Sequence, residues 1–252
     1  MVHNRKSDSI VAGRKRTSGK KKLTKYSTKT EKKLKHSSQL YLKRQAKDVY
    51  VQMALREGFR SRAAYKLVHL NDEFKLLKKG MSIVDLGCAP GSWLEVINEE
   101  LGKNCTVIGT DKIEIEPIEN VNFVQGDFTT QETFDEVMGH CPRGVDLVLS
   151  DMAPETTGHR ETDHIRSMML ANIAIDFALK ALKPGGTFVA KFFQGGEEQE
   201  MRTRLREHFD KVKFTKPESS RRESKEMFII CFGFKGDLTK NANKVQNEIK
   251  DI

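Results

Sequence analysis

The sequence predicts an α/β fold with a mostly parallel, seven-stranded sheet, an antiparallel last strand and helices on both faces. From Gly80 onward, short apolar runs alternate with longer amphipathic ones, which implies βαβ crossovers. Only residues 216–225 separate the last two apolar runs, which is too short for a helical crossover, so the final strand should return antiparallel. A glycine-containing turn follows the first run, where such a sheet binds its ligand.

Periodicity places the elements in order along the chain. Two helices precede the sheet, because apolar residues recur there at intervals of three and four. The first has Ser37 and Ser38 as candidate caps and ends at Gly58, and the second runs from Ser61 to Gly80. Strands are predicted over residues 82–86, 106–110, 121–124, 145–150, 187–193, 211–215 and 227–233. Helices are predicted between them over residues 92–101, 131–139, 165–182 and 197–209.

The length and the charge distribution indicate one globular domain with tails. A chain of 252 residues with 37% hydrophobic content can bury one core, expected over residues 37–236, followed by a polar tail over residues 237–252. Residues 1–36 hold 13 Lys and Arg against Asp8 and Glu31, although the whole chain has a net charge of only +9. This segment lacks apolar periodicity, so we expect it to be disordered alone and to bind a polyanion.

Two other interpretations of the basic segment stay open. It could be a solubilising tail, or an organellar transit peptide, which its Lys-rich composition without an apolar face disfavours. The chain shows no secretory apolar segment and no apolar run of about 20 residues, so we expect a soluble, cytoplasmic protein without membrane contact. We also expect it to be a monomer. The four cysteines are far apart and have no CxxC pairing, which predicts reduced thiols and no metal site. They are Cys88, Cys105, Cys141 and Cys231.

The turn after the first strand favours an adenosine ligand without a diphosphate, such as S-adenosylmethionine. It lacks the GxGxxG spacing of a dinucleotide site, and Pro90 removes an N–H donor that a pyrophosphate would use. A dehydrogenase is therefore disfavoured. Gly91 would let the backbone approach the ligand closely, and Trp93 could pack against its apolar part or simply belong to the core.

Polar residues follow several predicted strands, whose carboxyl ends should meet at one edge of the sheet. Asp111 ends the second strand and is placed to accept hydrogen bonds from ribose hydroxyls. Asp127 follows the third and could accept from an adenine amino group, or merely cap a turn. Asp151 follows the fourth strand and Lys191 lies late in the fifth. This edge is the predicted site.

Six motifs carry a family resemblance. They are Arg60-Ser-Arg-Ala-Ala-Tyr-Lys-Leu67, Asp85-Leu-Gly-Cys-Ala-Pro-Gly-Ser-Trp93, Gln125-Gly-Asp-Phe128, Ser150-Asp-Met-Ala-Pro154, Lys191-Phe-Phe-Gln-Gly195, and Lys216-Pro-Glu-Ser-Ser220 with Lys225-Glu226. Together, over residues 38–236, they resemble the RrmJ/FtsJ family of RNA ribose 2′-O-methyltransferases. Within it they most resemble the bacterial RlmE branch, which methylates a uridine in the A loop of 23S ribosomal RNA. Cys88 and Ser92 stand where Ala and Gly are usual, and both are small, so we expect cofactor binding to survive.

The resemblance implies a Rossmann-like class I methyltransferase that uses S-adenosylmethionine and acts on ribosomal RNA in the large subunit. The catalytic residues it implies are Lys66, Asp151, Lys191 and Glu226. The cofactor-binding residues it implies are Gly91, Trp93, Asp111, Asp127 and Asp151. The resemblance alone singles out Glu226 and makes Lys66 more than a surface lysine.

These residue types suit methylation of a ribose 2′-hydroxyl, which is a poor nucleophile at neutral pH and needs a base. We expect Lys191 to be that base, because burial and a second cation, Lys66, disfavour the charged form of an amine. Basic residues around the site could contact RNA phosphates. They are Lys43, Arg44, Arg60, Arg62, Arg221, Arg222 and Lys225. A transfer RNA or an mRNA cap as target, and a non-catalytic RNA-binding or ribosome-assembly factor, stay as alternatives.

Overall fold

The computed structural model describes residues 48–196 and 198–236. The predictions on both tails, on the Ser37 and Ser38 caps, and on Lys43 and Arg44 lie outside these residues. The division of the chain into a domain with two tails therefore stays a prediction.

The described residues form one seven-stranded sheet in the order β3-β2-β1-β4-β5-β7-β6. The strands are β1 Ser82–Leu86, β2 Thr106–Asp111, β3 Val121–Gln125, β4 Val145–Ser150, β5 Leu182–Phe193, β6 Phe209–Thr215 and β7 Glu226–Phe234. Strands β1 to β5 pair in parallel, whereas β7 pairs antiparallel with both β5 and β6. The predicted mixed sheet with an antiparallel last strand is confirmed.

Helices cover both faces of this sheet, as predicted. In the described part of the chain they are α1 Val49–Glu57, α2 Ala64–Phe74, α3 Ser92–Leu101, α4 Gln131–Gly139, α5 Arg160–Ala181 and α6 Gln199–His208. One apolar cluster packs α1, α2 and α3 on one face, and a second packs α4, α5 and α6 on the other. Because both faces are covered, Ile83 and Val84, which point to opposite faces of β1, are both fully buried.

Several predicted helix boundaries before the sheet were wrong. Helix α1 begins after Asp48, whose extended backbone interrupts the longer predicted helix and whose carboxylate accepts a hydrogen bond from the Tyr50 N–H. It ends before Gly58, as predicted. Helix α2 ends at Phe74, because Lys75 takes a left-handed conformation well before Gly80. It also begins at Ala64 rather than Ser61.

Two further boundaries were missed because the sequence there is polar. Helix α5 begins at Arg160, five residues before the predicted start, where Glu161 and Asp163 occupy its first turn. Acidic residues there stabilise a helix through its dipole but carry no apolar periodicity. Strand β5 begins at Leu182 rather than Thr187, and its pairing with β4 shifts register at Val145.

Candidate active site

A cavity of about 760 Å³ opens at the carboxyl ends of β1 to β4, at the edge that the sequence predicted. Three of its lining residues are the predicted acids Asp111, Asp127 and Asp151. The remaining lining residues are Gly87, Ala89, Lys112, Ile113, Gly126, Phe128, Thr129, Met152, Ala153, Leu170 and Ile173. Apolar walls with a few carboxylates suit a ligand that combines apolar parts with positive charge.

Asp111 is held rigidly by the backbone. One carboxylate oxygen accepts the Ala89 N–H at 2.9 Å, and the other accepts the Ile113 N–H at 2.9 Å. Each carboxylate oxygen has a second lone pair, so Asp111 can still accept hydrogen bonds from a ligand. The Ala89 contact ties this strand end to the turn after β1.

Asp127 is held by the segment that follows it and by a lysine that sequence reasoning missed. Its Oδ2 lies 2.7 Å from Lys112 Nζ, while Oδ1 accepts hydrogen bonds from the Thr129 N–H and hydroxyl. The hydrogen bonds from Lys112 and then Thr129 lower the pKa of Asp127 to about 2. This side chain is therefore a carboxylate at any pH near neutrality.

Gly91 and Trp93 lie outside the lining of the large cavity. At Gly91 φ is +99°, and an added Cβ would lie 2.9 Å from Ile118 Cδ1, so packing within the protein already requires glycine. Trp93 is buried, and its indole N–H donates to the Ala63 carbonyl at 2.9 Å. It borders a small cavity of about 40 Å³, which Asp85 also lines. Cofactor binding by Gly91 and Trp93 stays a prediction.

Asp85 is a buried carboxyl near the end of β1, and it is the first residue of the motif that contains the turn. It borders the same small cavity as Asp151. Burial, and then the charges of Asp151 and Asp111, raise the pKa of Asp85 well above its usual value. The buried side chain of Asp85 therefore favours its neutral, protonated form.

The four catalytic residues that the family resemblance implies come together at this edge of the sheet and form a tetrad. Lys66 Nζ lies 3.1 Å from Asp151 Oδ1 and 2.8 Å from Glu226 Oε2. Lys191 Nζ lies 2.8 Å from the same Asp151 oxygen and 3.8 Å from the same Glu226 oxygen. It also donates to the Asp151 backbone carbonyl at 2.6 Å. Two amines thus share two carboxylates.

Four separate elements position these side chains. Lys66 is on α2, Asp151 follows β4, Lys191 is late in β5, and Glu226 begins β7. Because β7 runs antiparallel, its first residue lies at the same edge as the carboxyl ends of β4 and β5. A search of that edge for the starts of antiparallel strands would have found Glu226 from the sequence.

The tetrad keeps Lys66 and Asp151 charged. Burial raises the pKa of Asp151, but Lys191 and Lys66 outweigh burial, and the net shift is downward. Burial lowers the pKa of Lys66, but Asp151 and Glu226 outweigh it, and the net shift is upward. Near neutral pH the pair is therefore an ammonium and a carboxylate.

Three arginines that were predicted to contact RNA phosphates form ion pairs within the protein. Arg60 pairs with Glu95, its Nε lying 3.2 Å from Oε1. Arg62 Nη1 and Arg221 Nε lie 2.8 Å and 3.3 Å from the same Asp48 oxygen. Of the basic residues proposed from sequence and described in the structure, the two with well-exposed side chains are Arg222 and Lys225.

Among the described residues, no three of His, Cys, Asp and Glu are grouped as metal ligands would be. The absence of a metal from the reaction stays a prediction. Within residues 48–196 and 198–236, no helix combines the length and the apolar character that crossing a membrane requires.

Comparison with known proteins agrees with this geometry. Residues 59–234 match the model of the FtsJ-like methyltransferase family. The chain is 47% identical over 203 residues to "Ribosomal RNA large subunit methyltransferase E" of Psychrobacter sp. strain PRwf-1, covering 80% of this chain and 97% of that protein. It is 44% identical over 218 residues to the protein of the same name from Parvibaculum lavamentivorans, covering 82% and 86%.

A solved structure supports the same assignment. It is a Plasmodium falciparum protein assigned provisionally as a ribosomal RNA methyltransferase, with a TM-score of 0.63 and 34% identity. The alignment covers 71% of this chain and all of that one. The shared sheet, the assembled tetrad and these matches lead to one conclusion: this chain belongs to the FtsJ-like methyltransferase family.

Proposed function

We propose that this enzyme transfers a methyl group from S-adenosylmethionine to a ribose 2′-hydroxyl of large-subunit ribosomal RNA, with a uridine in the A loop of 23S rRNA as the expected target. The observation that carries the proposal is the cluster of Lys66, Asp151, Lys191 and Glu226 beside the large cavity. The names of the relatives support ribosomal RNA as the substrate.

The large cavity suits the proposed cofactor. Asp111 and Asp127 would bind the ribose hydroxyls and the adenine amino group, and Ile113, Leu170 and Ile173 offer apolar contacts. The carboxylate of Asp151 lies where the cavity meets the tetrad, so it would also favour a positively charged ligand. When bound, S-adenosylmethionine supplies a methyl group on a cationic sulfur, which is an electrophile that needs no metal activation.

The residues of the tetrad take different roles in the proposed reaction. Lys66 is fixed as an ammonium by Asp151 and Glu226, so it would stabilise negative charge that develops on the 2′-oxygen. Lys191 is then the amine that accepts the 2′-hydroxyl proton. Asp151 orients both amines through one oxygen, and Glu226 is closest to Lys66.

The remaining expectations concern partners and location. Arg222 and Lys225, beside Glu226, would contact RNA phosphates and position the strand without reading its sequence. We further propose that the enzyme acts as a monomer in the cytoplasm, on RNA within the large ribosomal subunit.

Mapping the methylated nucleotide tests the proposal directly. Total RNA is incubated with the purified enzyme and S-adenosylmethionine labelled on the methyl group, and the labelled nucleotide is located. We expect label on one ribose of the large-subunit RNA and none on an RNA that carries 2′-deoxyribose at that position, because the nucleophile is then missing. Label on transfer RNA, on a cap or on a base would overturn the proposal.

The Lys191→Ala variant tests the assignment of the base. Methyl transfer should fall by roughly 100-fold or more, as it usually does when a general base is removed. Affinity for S-adenosylmethionine, measured by calorimetry, should persist because Lys191 does not line the large cavity. Transfer near the wild-type rate would show that another group takes the proton. Arg143→Ala, at an exposed position outside the cavity lining and the tetrad, is the matched control.

A further inference from the structure

The loop between β6 and β7, residues 216–225, holds one end of the tetrad. Its Ser220 hydroxyl donates to Glu226 Oε1 at 2.7 Å, and both residues are buried. The other Glu226 oxygen, Oε2, is the one that contacts Lys66 at 2.8 Å. Ser220 thus occupies one carboxylate oxygen and leaves the second to the lysines.

The same loop is attached to α2 by a histidine. The Ser219 N–H donates to His69 Nδ1 at 3.1 Å, across 150 residues of sequence. His69 lies three residues after Lys66 on α2, so both side chains are on neighbouring turns of one helix face. One stretch of α2 therefore contacts Glu226 through Lys66 and the adjacent loop backbone through His69.

This contact defines the protonation state and the tautomer of the His69 imidazole. A backbone N–H can only donate, so Nδ1 is an unprotonated acceptor and the ring is neutral, with its proton on Nε2. The groups around it are Glu218 on the loop, Asp72 on α2 and the Tyr50 ring of α1, 5.6 Å away. Burial lowers the pKa of His69, although Glu218 and Asp72 oppose it, so the neutral ring persists at and above neutral pH.

A second attachment keeps the loop folded when His69 is altered. The Arg62 guanidinium donates to the Ser219 backbone carbonyl, and Arg62 and Arg221 both pair with Asp48. The His69 contact therefore adjusts the position of the loop rather than deciding whether it docks.

We propose that His69 and Ser220 are positioning residues for the methyl-transfer step. His69 fixes the loop backbone at Ser219, and Ser220 then fixes Glu226 in the orientation that holds Lys66. Neither is expected to contact the RNA ribose or the cofactor. This inference rests on the proposed function, because it concerns the same tetrad.

Two amide substitutions at His69 test where the hydrogen-bond acceptor must lie, because both side chains are polar and only the position of the oxygen differs. The side-chain oxygen of His69→Asn can take the place of Nδ1 and accept the Ser219 N–H, whereas the longer side chain of His69→Gln places its oxygen near the Nε2 position. We expect kcat of His69→Asn within about twofold of wild type and a loss of roughly five- to tenfold for His69→Gln, the effect of one neutral hydrogen bond. KM for S-adenosylmethionine should stay unchanged in both.

Hydrogen exchange of the Ser219 amide gives a readout that does not depend on activity. Protection should persist in His69→Asn and fall in His69→Gln, while the melting temperatures of the two variants stay close. Equal kcat and equal protection in both variants would overturn the role of His69. An altered KM for S-adenosylmethionine with unchanged kcat would overturn it as well.

Ser220→Ala tests the second link without touching His69. It should lower kcat by roughly five- to tenfold, and adding His69→Gln should cost less than the product of the single losses, because both act through Glu226. Fully multiplicative losses would overturn the linked positioning. These outcomes are distinguishable from failure of the proposed function, since in that case the wild-type enzyme itself would not label the RNA ribose.

Discussion

At the scale of single residues, two buried acids at one edge of the sheet have opposite protonation because their neighbours differ. Asp151 lies against the amines of Lys191 and Lys66, which lower its pKa despite burial. Asp85 is buried near Asp151 and Asp111, and its pKa is raised. A residue type read from the sequence does not distinguish these states, since the neighbours that decide them come from strands and helices far apart in the chain.

Asp85→Asn should raise the free energy of unfolding of the ligand-free protein at pH 7. As pH rises above about 3.9, the unfolded chain releases the Asp85 proton while the folded protein retains it, so stability falls until pH passes the raised folded pKa. Asparagine removes this loss, and the two proteins should differ little near pH 4. Urea denaturation at pH 4, 5, 6 and 7 measures the difference.

Asp151→Asn is the matched control and should act in the opposite direction. The folded pKa of Asp151 is lowered, so its stabilising contribution is present above about pH 3.9 and is lost as pH falls through the folded pKa. The variant should therefore be less stable than wild type at pH 7. An Asp85→Asn variant that is no more stable than wild type at pH 7 would contradict the proposed buried neutral carboxyl.

At the scale of elements, the turn after β1 packs closely against the segment after β4 at Gly87. Here φ is +65°, and an added Cβ would lie 2.3 Å from Met152 Cγ. Met152 follows Asp151 and lines the large cavity. The glycine therefore allows the ends of two neighbouring strands to approach.

Gly87→Ala should destabilise the fold by roughly 1–3 kcal/mol and weaken binding of S-adenosylmethionine, because the added methyl group overpacks this contact. Denaturant unfolding and calorimetry measure the two effects. Gly87→Ala combined with Met152→Ala should recover part of the affinity, since the clash is removed while the backbone strain stays. A single variant as stable as wild type would show that Met152 adapts without cost.

Elements with strong apolar patterns were predictable, and contacts between distant polar residues were not. The strands β1 and β4 and the helices α3 and α4 match their predicted bounds, since their apolar residues and flanking turns mark both ends. The polar start of α5 has no such pattern. The Ser219 contact with His69 depends on packing between a loop and a helix that no local pattern encodes. The family resemblance gave Glu226 a role, but it gave none to Ser220, which lies in the same motif and donates to Glu226.

At the scale of the whole molecule, positive charge and the tetrad lie in different parts of the chain. Residues 1–36 contain 13 of the 44 Lys and Arg, whereas the rest of the chain holds 31 basic and 33 acidic residues. Three arginines expected to contact RNA phosphates, Arg60, Arg62 and Arg221, pair instead with Glu95 and Asp48. We therefore expect the basic segment to supply the long-range attraction of RNA.

Deletion of residues 1–36 should lower affinity for RNA while leaving turnover at saturating RNA within about twofold. The wild-type affinity should fall steeply with salt, and the slope of log affinity against log salt should be smaller for the deletion, because fewer counterions are released. Filter binding from 50 to 200 mM salt and single-turnover methylation measure these effects. An RNA affinity insensitive to both salt and the deletion would remove the segment from substrate binding.

The position of β7 has a consequence for the order of events during synthesis. It is the last strand of the sheet in the chain, yet it lies inside the sheet, between β5 and β6, and it carries Glu226. A ribosome must therefore release nearly the whole domain before the tetrad is complete, although the residues that line the large cavity are made much earlier. A nascent chain that ends before β7 therefore carries every residue that lines the large cavity but lacks Glu226 of the tetrad.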